Sequence, residues 1–221
     1  NRRVEYLKDT GFRVYLGMIV VFSLLFLLNI VNSRLYEFNL DSIRHSIFAS
    51  VTIITTTGFT TENFSLWPGF LPYLLLVGAF MGACSQSVGG GIKAWRVLIM
   101  INQAYKEILN IIHPNAVLST KIGNKVIDSK IAEKVWGFFS IYVFIFMFLL
   151  MAMLGTGLNF ESAFSAIGAC LNNLGPGLGD VANNYKSVNE VGKLILCFAM
   201  ILGRLEIFTL LVLFTPAFWR R

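Results

Sequence analysis

The chain has 221 residues, of which 56% are hydrophobic and 14% charged, with a formal net charge of +6 and a mean hydropathy of +0.68. A soluble domain carries roughly 25% charged residues, so this composition excludes an ordinary soluble fold and points to a membrane. The positive balance does not point to nucleic acid, because 12 of the 18 Lys and Arg lie in residues 1–13, 96–134 and 220–221, a bias that marks cytoplasmic segments of membrane proteins.

Four segments are apolar and long enough to cross a bilayer, for which about 20 residues are needed: residues 12–31, residues 70–100 with a polar interruption, residues 135–154 and residues 191–218. Cys84, Cys170 and Cys197 lie in apolar surroundings without a C-x-x-C spacing, so they are expected to pack, with no disulfide or metal. Residue 1 is Asn and no signal-peptide layout follows, so the chain is expected to be part of a longer protein.

Residues 1–9 form a charged cytoplasmic lead-in, residues 12–31 a first span, and residues 32–40 an external connection. Residues 41–54 then suggest a short helix with Asp41 or Ser42 as N-cap. At ~1.5 Å per residue it reaches only part of the membrane before the chain turns back. The turn is the hydroxyl-rich run S-V-T-I-I-T-T-T-G-F-T-T at residues 50–61. Irregular backbone survives in hydrocarbon only where protein covers it or it lines a water-filled path. Gly58 permits the angles of a helix exit, and the negative end of the helix dipole faces the turn. The carbonyls of Thr55, Thr56, Thr57, Gly58 and Phe59 can therefore share one space, which is how cation filters are built. The alternative is a polar re-entrant turn buried for packing. The sequon Asn63-Phe64-Ser65 carries no weight without a secretory context.

Residues 70–100 begin as an apolar helix and pass through C-S-Q-S-V-G-G-G-I-K. Gly89, Gly90 and Gly91 each cost about 1 kcal/mol in a helix interior relative to Ala, so the span is expected to break inside the membrane and line a cavity. The glycines do not make a nucleotide site, since no strand precedes them and no Gly-Lys-Ser/Thr follows. Residues 102–134 are polar, with Lys106, Lys121, Lys125, Lys130 and Lys134 against Glu107, Asp128 and Glu133. They predict a short amphipathic helix ending near Ile112 and a loop carrying Gly123 and Asn124. That stretch is either a topology-setting loop or a docking surface for a cytoplasmic partner.

The pattern then repeats. Residues 135–154 cross outward, residues 160–171 suggest a short helix, N-N-L-G-P-G-L-G at 172–179 is a turn, and residues 191–218 cross back. Placing Gly58 over Gly175, an offset of 117 residues, brings both halves into step, with Asn172 and Asn173 where the first copy has Thr55 and Thr56. Arg204 lies near the middle of the last predicted span, where an arginine costs roughly 2.5–3.5 kcal/mol. Glu206, two positions on, falls on another helical face. Under the same offset Arg204 stands opposite Ser87, beside the glycine triplet, where a fixed cation raises the barrier to a passing cation.

The runs T-T-T-G-F-T-T (55–61), G-G-G-I-K (89–93), H-P-N-A-V (113–117), V-W-G-F-F-S (135–140), N-N-L-G-P-G-L-G (172–179) and G-R-L-E-I-F-T (203–209) resemble the bacterial TrkH potassium-uptake proteins, relatives of KtrB and the plant HKT transporters. The resemblance covers essentially the whole chain. It implies an all-α membrane protein of the potassium-channel type, with two repeats of transmembrane helix, re-entrant pore helix with filter loop, and transmembrane helix. These would be the last two of four pore units: residues 1–101, a cytoplasmic connection at 102–134, and residues 135–221.

Thr55, Thr56, Thr57, Gly58 and Phe59, with Asn172, Asn173, Leu174 and Gly175, would then supply two of four walls around K⁺. Gly89, Gly90 and Gly91 would form an intramembrane gate with Arg204 as its charged companion. The resemblance further implies a location in the bacterial inner membrane, with both ends of the chain on the cytoplasmic side, and no organic cofactor. Its partners would be membrane lipid, the N-terminal pore units of the same protein, a second copy in a homodimer and a cytoplasmic nucleotide-binding TrkA ring. Competing readings are a Na⁺-permeable member of the same superfamily, a membrane-embedded enzyme or receptor with a polar pocket, and a purely structural subunit. The enzyme reading is weakened because the sequence shows no nucleophile–base pair and both histidines lie outside the apolar spans.

Overall fold

A computed structural model describes residues 9–32, 38–61, 64–67, 69–82, 84, 89–116, 121–122, 125–213 and 215–220. Most of the charged lead-in, Asn63 of the sequon, Ser85–Val88 with Ser87 opposite Arg204, and the Gly123-Asn124 pair lie outside these residues.

The first helix, α1 (Thr10–Asn32), is apolar on every side. Its Phe22, Phe26 and Ile30 turn inward while Leu16, Val20, Leu24 and Leu28 face outward, a distribution that suits a helix surrounded by lipid or by other apolar elements. At 23 residues it is ~35 Å long, enough to span the hydrocarbon core. The next helix, α2 (Leu40–Ile54), is capped by Asn39, two residues ahead of Asp41 and three ahead of Ser42, the N-caps expected from sequence. Asn39 takes the extended cap geometry, and Ser42 Oγ accepts its N–H at 3.2 Å. Asp41 turns to Arg44 instead, 3.3 Å away. Packed by protein on several sides, α2 satisfies its hydroxyls internally: Ser46 and Ser50 donate to the carbonyls four residues back at 2.7 and 2.9 Å.

The segment expected to break does so. The α3 helix (Leu71–Met81) stops at Gly82, and α4 (Ala94–Ile112) starts after Lys93. Ahead of α4, Ile92 lies against the end of α3, its N–H donating to Phe80 O at 3.0 Å. The approach requires glycine: a Cβ on Gly91 would lie 2.9 Å from Ala79 O. The predicted amphipathic helix is not separate from the resumed span, because α4 runs unbroken through both. Where sequence suggested only a loop, β1 (Lys121–Ile122) pairs antiparallel with β2 (Lys125–Val126). Ile122 packs with Ile99 of α4 and with Ala132 and Val135 of the following helix.

The second half opens with α5 (Ser129–Leu154), capped by Asp128, whose carboxylate accepts from Lys130 N at 3.2 Å. It starts six residues before the apolar run, since hydropathy marks the lipid-facing part of a helix and not its capped end. The short helix α6 (Phe160–Leu171) occupies the residues expected of it and is mostly buried. The final span differs from expectation. It is α7 (Glu190–Arg204) and α8 (Ile207–Leu213), bent by 107° at Leu205-Glu206, followed by the short α9 (Pro216–Trp219). So α1 and α5 are long and apolar enough to cross a membrane unbroken, with the bent pair as a third candidate. Each half has its own core. One is built on Phe22, Phe26, Ile53, Trp67 and Leu71, the other on Tyr142, Phe146, Ile167, Leu196 and Leu202.

Candidate functional site

The two short helices end in the same way. Thr55 N donates to Val51 O (2.9 Å), Thr56 N to Ile53 O (3.0 Å) and Thr57 N to Thr52 O (2.8 Å). In the second half Asn172 N donates to Gly168 O (3.2 Å), Asn173 N to Cys170 O (3.1 Å) and Leu174 N to Ala169 O (2.8 Å). Every donor and acceptor is shifted by 117 residues. The left-handed residues correspond too: Thr56 (φ 52°) with Asn173 (φ 54°), and Gly58 (φ 79°) with Gly175 (φ 104°). A β-branched residue at positive φ is a genuine outlier, so Thr56 is held there by its surroundings.

These turns spend their N–H groups backward on the helix and leave their carbonyls forward. Among the described residues no hydrogen bond ends on the carbonyl oxygens of Thr55, Thr56, Thr57, Gly58, Asn173 or Leu174. Leu174 is buried, Thr55, Thr56, Gly58 and Asn173 are half-buried and Thr57 is exposed, so these oxygens keep their lone pairs for whatever occupies the space in front of them. The turns lie side by side: a Cβ on Gly58 would overlap the Leu174 carbonyl, and both turns line a cavity of about 360 Å³ with Thr60, Pro176 and Tyr185. The exits differ. Phe59 O accepts from Thr52 Oγ1 at 2.9 Å, whereas Gly175 O accepts from the Tyr185 hydroxyl at 2.6 Å. Tyr185 is held in turn by Cys170, whose Sγ lies 3.9 Å from the hydroxyl. Withdrawal from water, with the Cys170 sulfur beside it, raises the Tyr185 phenol well above the usual tyrosine range, so the hydroxyl stays a donor.

The side chains of Asn172 and Asn173 turn away from this cavity. Asn172, fully buried, accepts from the Tyr142 hydroxyl at 2.7 Å and donates to Gly168 O at 2.8 Å. The Asn173 carboxamide, oriented by its hydrogen-bonding surroundings, donates to Met200 O (3.2 Å) and accepts from Arg204 N (3.1 Å). Those two α7 groups are i and i+4 partners. The carboxamide thus sits in the helix ladder one turn before the 107° bend, a recognised cause of kinks.

Behind the second turn lies another cavity, of about 250 Å³, lined by Gly89, Gly91, Lys93, Arg96, Arg204 and Glu206 among others. The glycine loop and Arg204 therefore share one space. Gly90 abuts the turn itself, since a Cβ there would overlap the Asn172 carbonyl. Arg204 closes the last turn of α7 with its side chain exposed, not at the middle of a continuous span as expected from sequence.

Sequence reasoning missed the ion cluster at this cavity. Glu206 Oε1 lies 2.7 Å from Lys93 Nζ and Oε2 lies 3.2 Å from Arg96, and the Arg96 guanidinium stacks over Phe138 at 4.1 Å. Both Lys93 (φ 71°) and Glu206 (φ 57°) are left-handed, so the two helix breaks are pinned to each other by their own strained residues. The available signal was an acid and two bases at the edges of apolar runs, where unpaired charge is costly.

A cation transport protein family model, that of TrkH, matches residues 10–221. The chain is 47% identical over 217 residues to the Trk system potassium uptake protein TrkH of Escherichia coli (strain K12), covering 97% of this chain and 44% of that protein. It is 46% identical over 215 residues to the protein of the same name in Salmonella typhimurium, with 97% and 44% covered. The crystal structure of the potassium transporter TrkH from Vibrio parahaemolyticus superposes with a TM-score of 0.92 at 43% identity, over 99% of this chain and 47% of that one. The chain spans less than half the length of these relatives. The matches run through both helix-and-turn units and the two helix breaks, and on them the chain belongs to the TrkH family of cation transport proteins.

Proposed function

We propose that this chain contributes two walls of a potassium-conducting filter in a bacterial plasma membrane. The observation that carries the reading is the pair of matching turns in which the carbonyls of Thr55–Gly58, Asn173 and Leu174 accept no hydrogen bond among the described residues, set side by side on one cavity. Thr55–Phe59 and Asn172–Gly175 then replace part of the hydration shell of K⁺ as it passes. The ion is cargo, and no organic cofactor takes part.

Two walls do not enclose an ion, so the remaining units come from the rest of the full-length protein. Its relatives, named potassium uptake proteins, are more than twice as long. The Gly89–Gly91 loop with Arg204 acts as the gate: it lies behind the second turn, and a fixed positive charge there opposes a cation. The polar stretch from Asn102 to Lys134 faces the cytoplasm, as do both chain ends, and receives a nucleotide-binding ring of the TrkA kind. Lipid surrounds α1 and α5, and a second copy completes a homodimer.

Reconstituting the full-length protein in liposomes and following radioactive rubidium or K⁺ uptake tests the reading. Selective uptake abolished by Gly58→Asp and by Gly175→Asp supports it. Uptake that survives both changes with selectivity intact overturns it.

A further inference from the structure

We propose that Tyr185 is a specificity-determining positioning residue, whose hydroxyl fixes the Gly175 carbonyl and so sets how well the second wall distinguishes K⁺ from Na⁺. The inference rests on the filter reading above and deepens it.

The two turns share their hydrogen bonds as far as Thr57 and Leu174, then diverge. In the first unit the brace comes from within, where Thr52 of the pore helix donates to Phe59 O at 2.9 Å. The second unit lacks that device, because Ala169 stands where Thr52 does and Pro176 where Phe59 does. Its brace comes from across the mouth: Tyr185, well beyond the turn, donates to Gly175 O at 2.6 Å. The residue matching Tyr185 in the first unit is Pro68, which has no hydroxyl. Among the described residues each unit thus has one such brace, on different carbonyls.

Tyr185 is itself fixed at several points. Cys170 of the pore helix donates its thiol to the hydroxyl, and the ring packs against the second core. Its carbonyl accepts from Val188 N at 3.3 Å, and Ser187 ties the same loop to Asp180 O at 3.3 Å. Pore helix, turn and mouth loop are therefore joined through one oxygen.

A carbonyl has two lone pairs, so Gly175 O can hold the Tyr185 hydroxyl and still face an ion. Discrimination depends on the number, field strength and freedom of the coordinating carbonyls. The tether resists the inward swing needed to contact a smaller ion, and the phenol proton draws down the field that a smaller ion would exploit.

The test is the K⁺/Na⁺ permeability ratio of the full-length protein, from reversal potentials under bi-ionic conditions. Tyr185→Phe keeps the ring and removes the hydroxyl. It is expected to lower the ratio by about threefold or more, in line with loss of one hydrogen bond. Cys170→Ala is expected to lower it in the same direction by less. Tyr73→Phe removes a hydroxyl bonded to Glu161 between α3 and α6, away from the turns, and is expected to leave the ratio at the wild-type value. The ratio reads only conducting protein, so a lower yield does not obscure it. A K⁺-selective wild type with an unchanged or higher ratio in Tyr185→Phe overturns this inference alone. A wild-type ratio near unity overturns the filter reading and the inference with it.

Discussion

Gly58 and Gly175 occupy matching places but differ in what a side chain would meet. Both are at positive φ, where an L-residue is strained by about 1–2 kcal/mol. At Gly175 nothing lies within 4 Å of an added Cβ, while at Gly58 the Cβ falls on the Leu174 carbonyl. Gly58→Ala is therefore expected to abolish uptake, and Gly175→Ala to reduce it and leave the protein folded, in parallel liposome assays. Equal loss from both would mean that strain, and not the contact between turns, limits the site. Tyr142→Phe is the corresponding stability test: it leaves Asn172 Oδ1, fully buried, without its donor, at an expected cost of ~1–3 kcal/mol. Thermal unfolding of the purified full-length protein should show it as a lower transition temperature. These environments were not legible in the sequence. N-N-L-G stood where T-T-T-G stood, and only coordinates show the asparagine side chains facing inward to the core and to α7.

At the scale of elements, the two helix breaks are coupled. Glu206 joins Lys93 and Arg96 across them, and its side chain is 44% exposed, so water weakens each pair to at most about 1 kcal/mol. Glu206→Gln is expected to raise basal uptake by roughly fivefold, the equivalent of ~1 kcal/mol in the closed-to-open balance, and Arg204→Ala to raise it as well. Unchanged basal uptake in both would make the cluster scaffolding. The sequence showed one break and hid the other for a physical reason. Three adjacent glycines cannot comfortably continue a helix, whereas Leu205-Glu206 contains no residue that interrupts one. The bend there is held by partners distant in the chain: Lys93 and Arg96, which pair with Glu206 from more than a hundred residues back, and the Asn173 carboxamide placed between Met200 and Arg204. The α6 helix, by contrast, was legible to the residue, because a run of small apolar residues stops at N-N-L-G. The pairing of Lys121–Ile122 with Lys125–Val126 was readable from the Gly-Asn signal in the sequence, but the surrounding lysines made the stretch look like loop.

The whole chain exposes surfaces that suit further protein as much as lipid. Phe59, at the mouth of the first turn, is 71% exposed, and the open carbonyls around it belong to two units only. Expressed alone, residues 1–221 are expected to enter the membrane and conduct no K⁺, and the full-length protein is expected to conduct it; rubidium uptake by matched liposomes checks this. The 117-residue repeat was visible in the glycines of the sequence. What it could not give was the geometry between the repeats, since the close approach of Gly58 to Leu174 and of Gly90 to Asn172 joins parts of the chain that no local pattern links. The most direct test of the central claim is anomalous diffraction from crystals of the full-length protein grown in rubidium. The account predicts a rubidium peak within coordination distance of the carbonyls of Thr55–Gly58 and Asn172–Leu174. Those carbonyls turned toward protein or lipid, with no ion between Gly58 and Gly175, would contradict it.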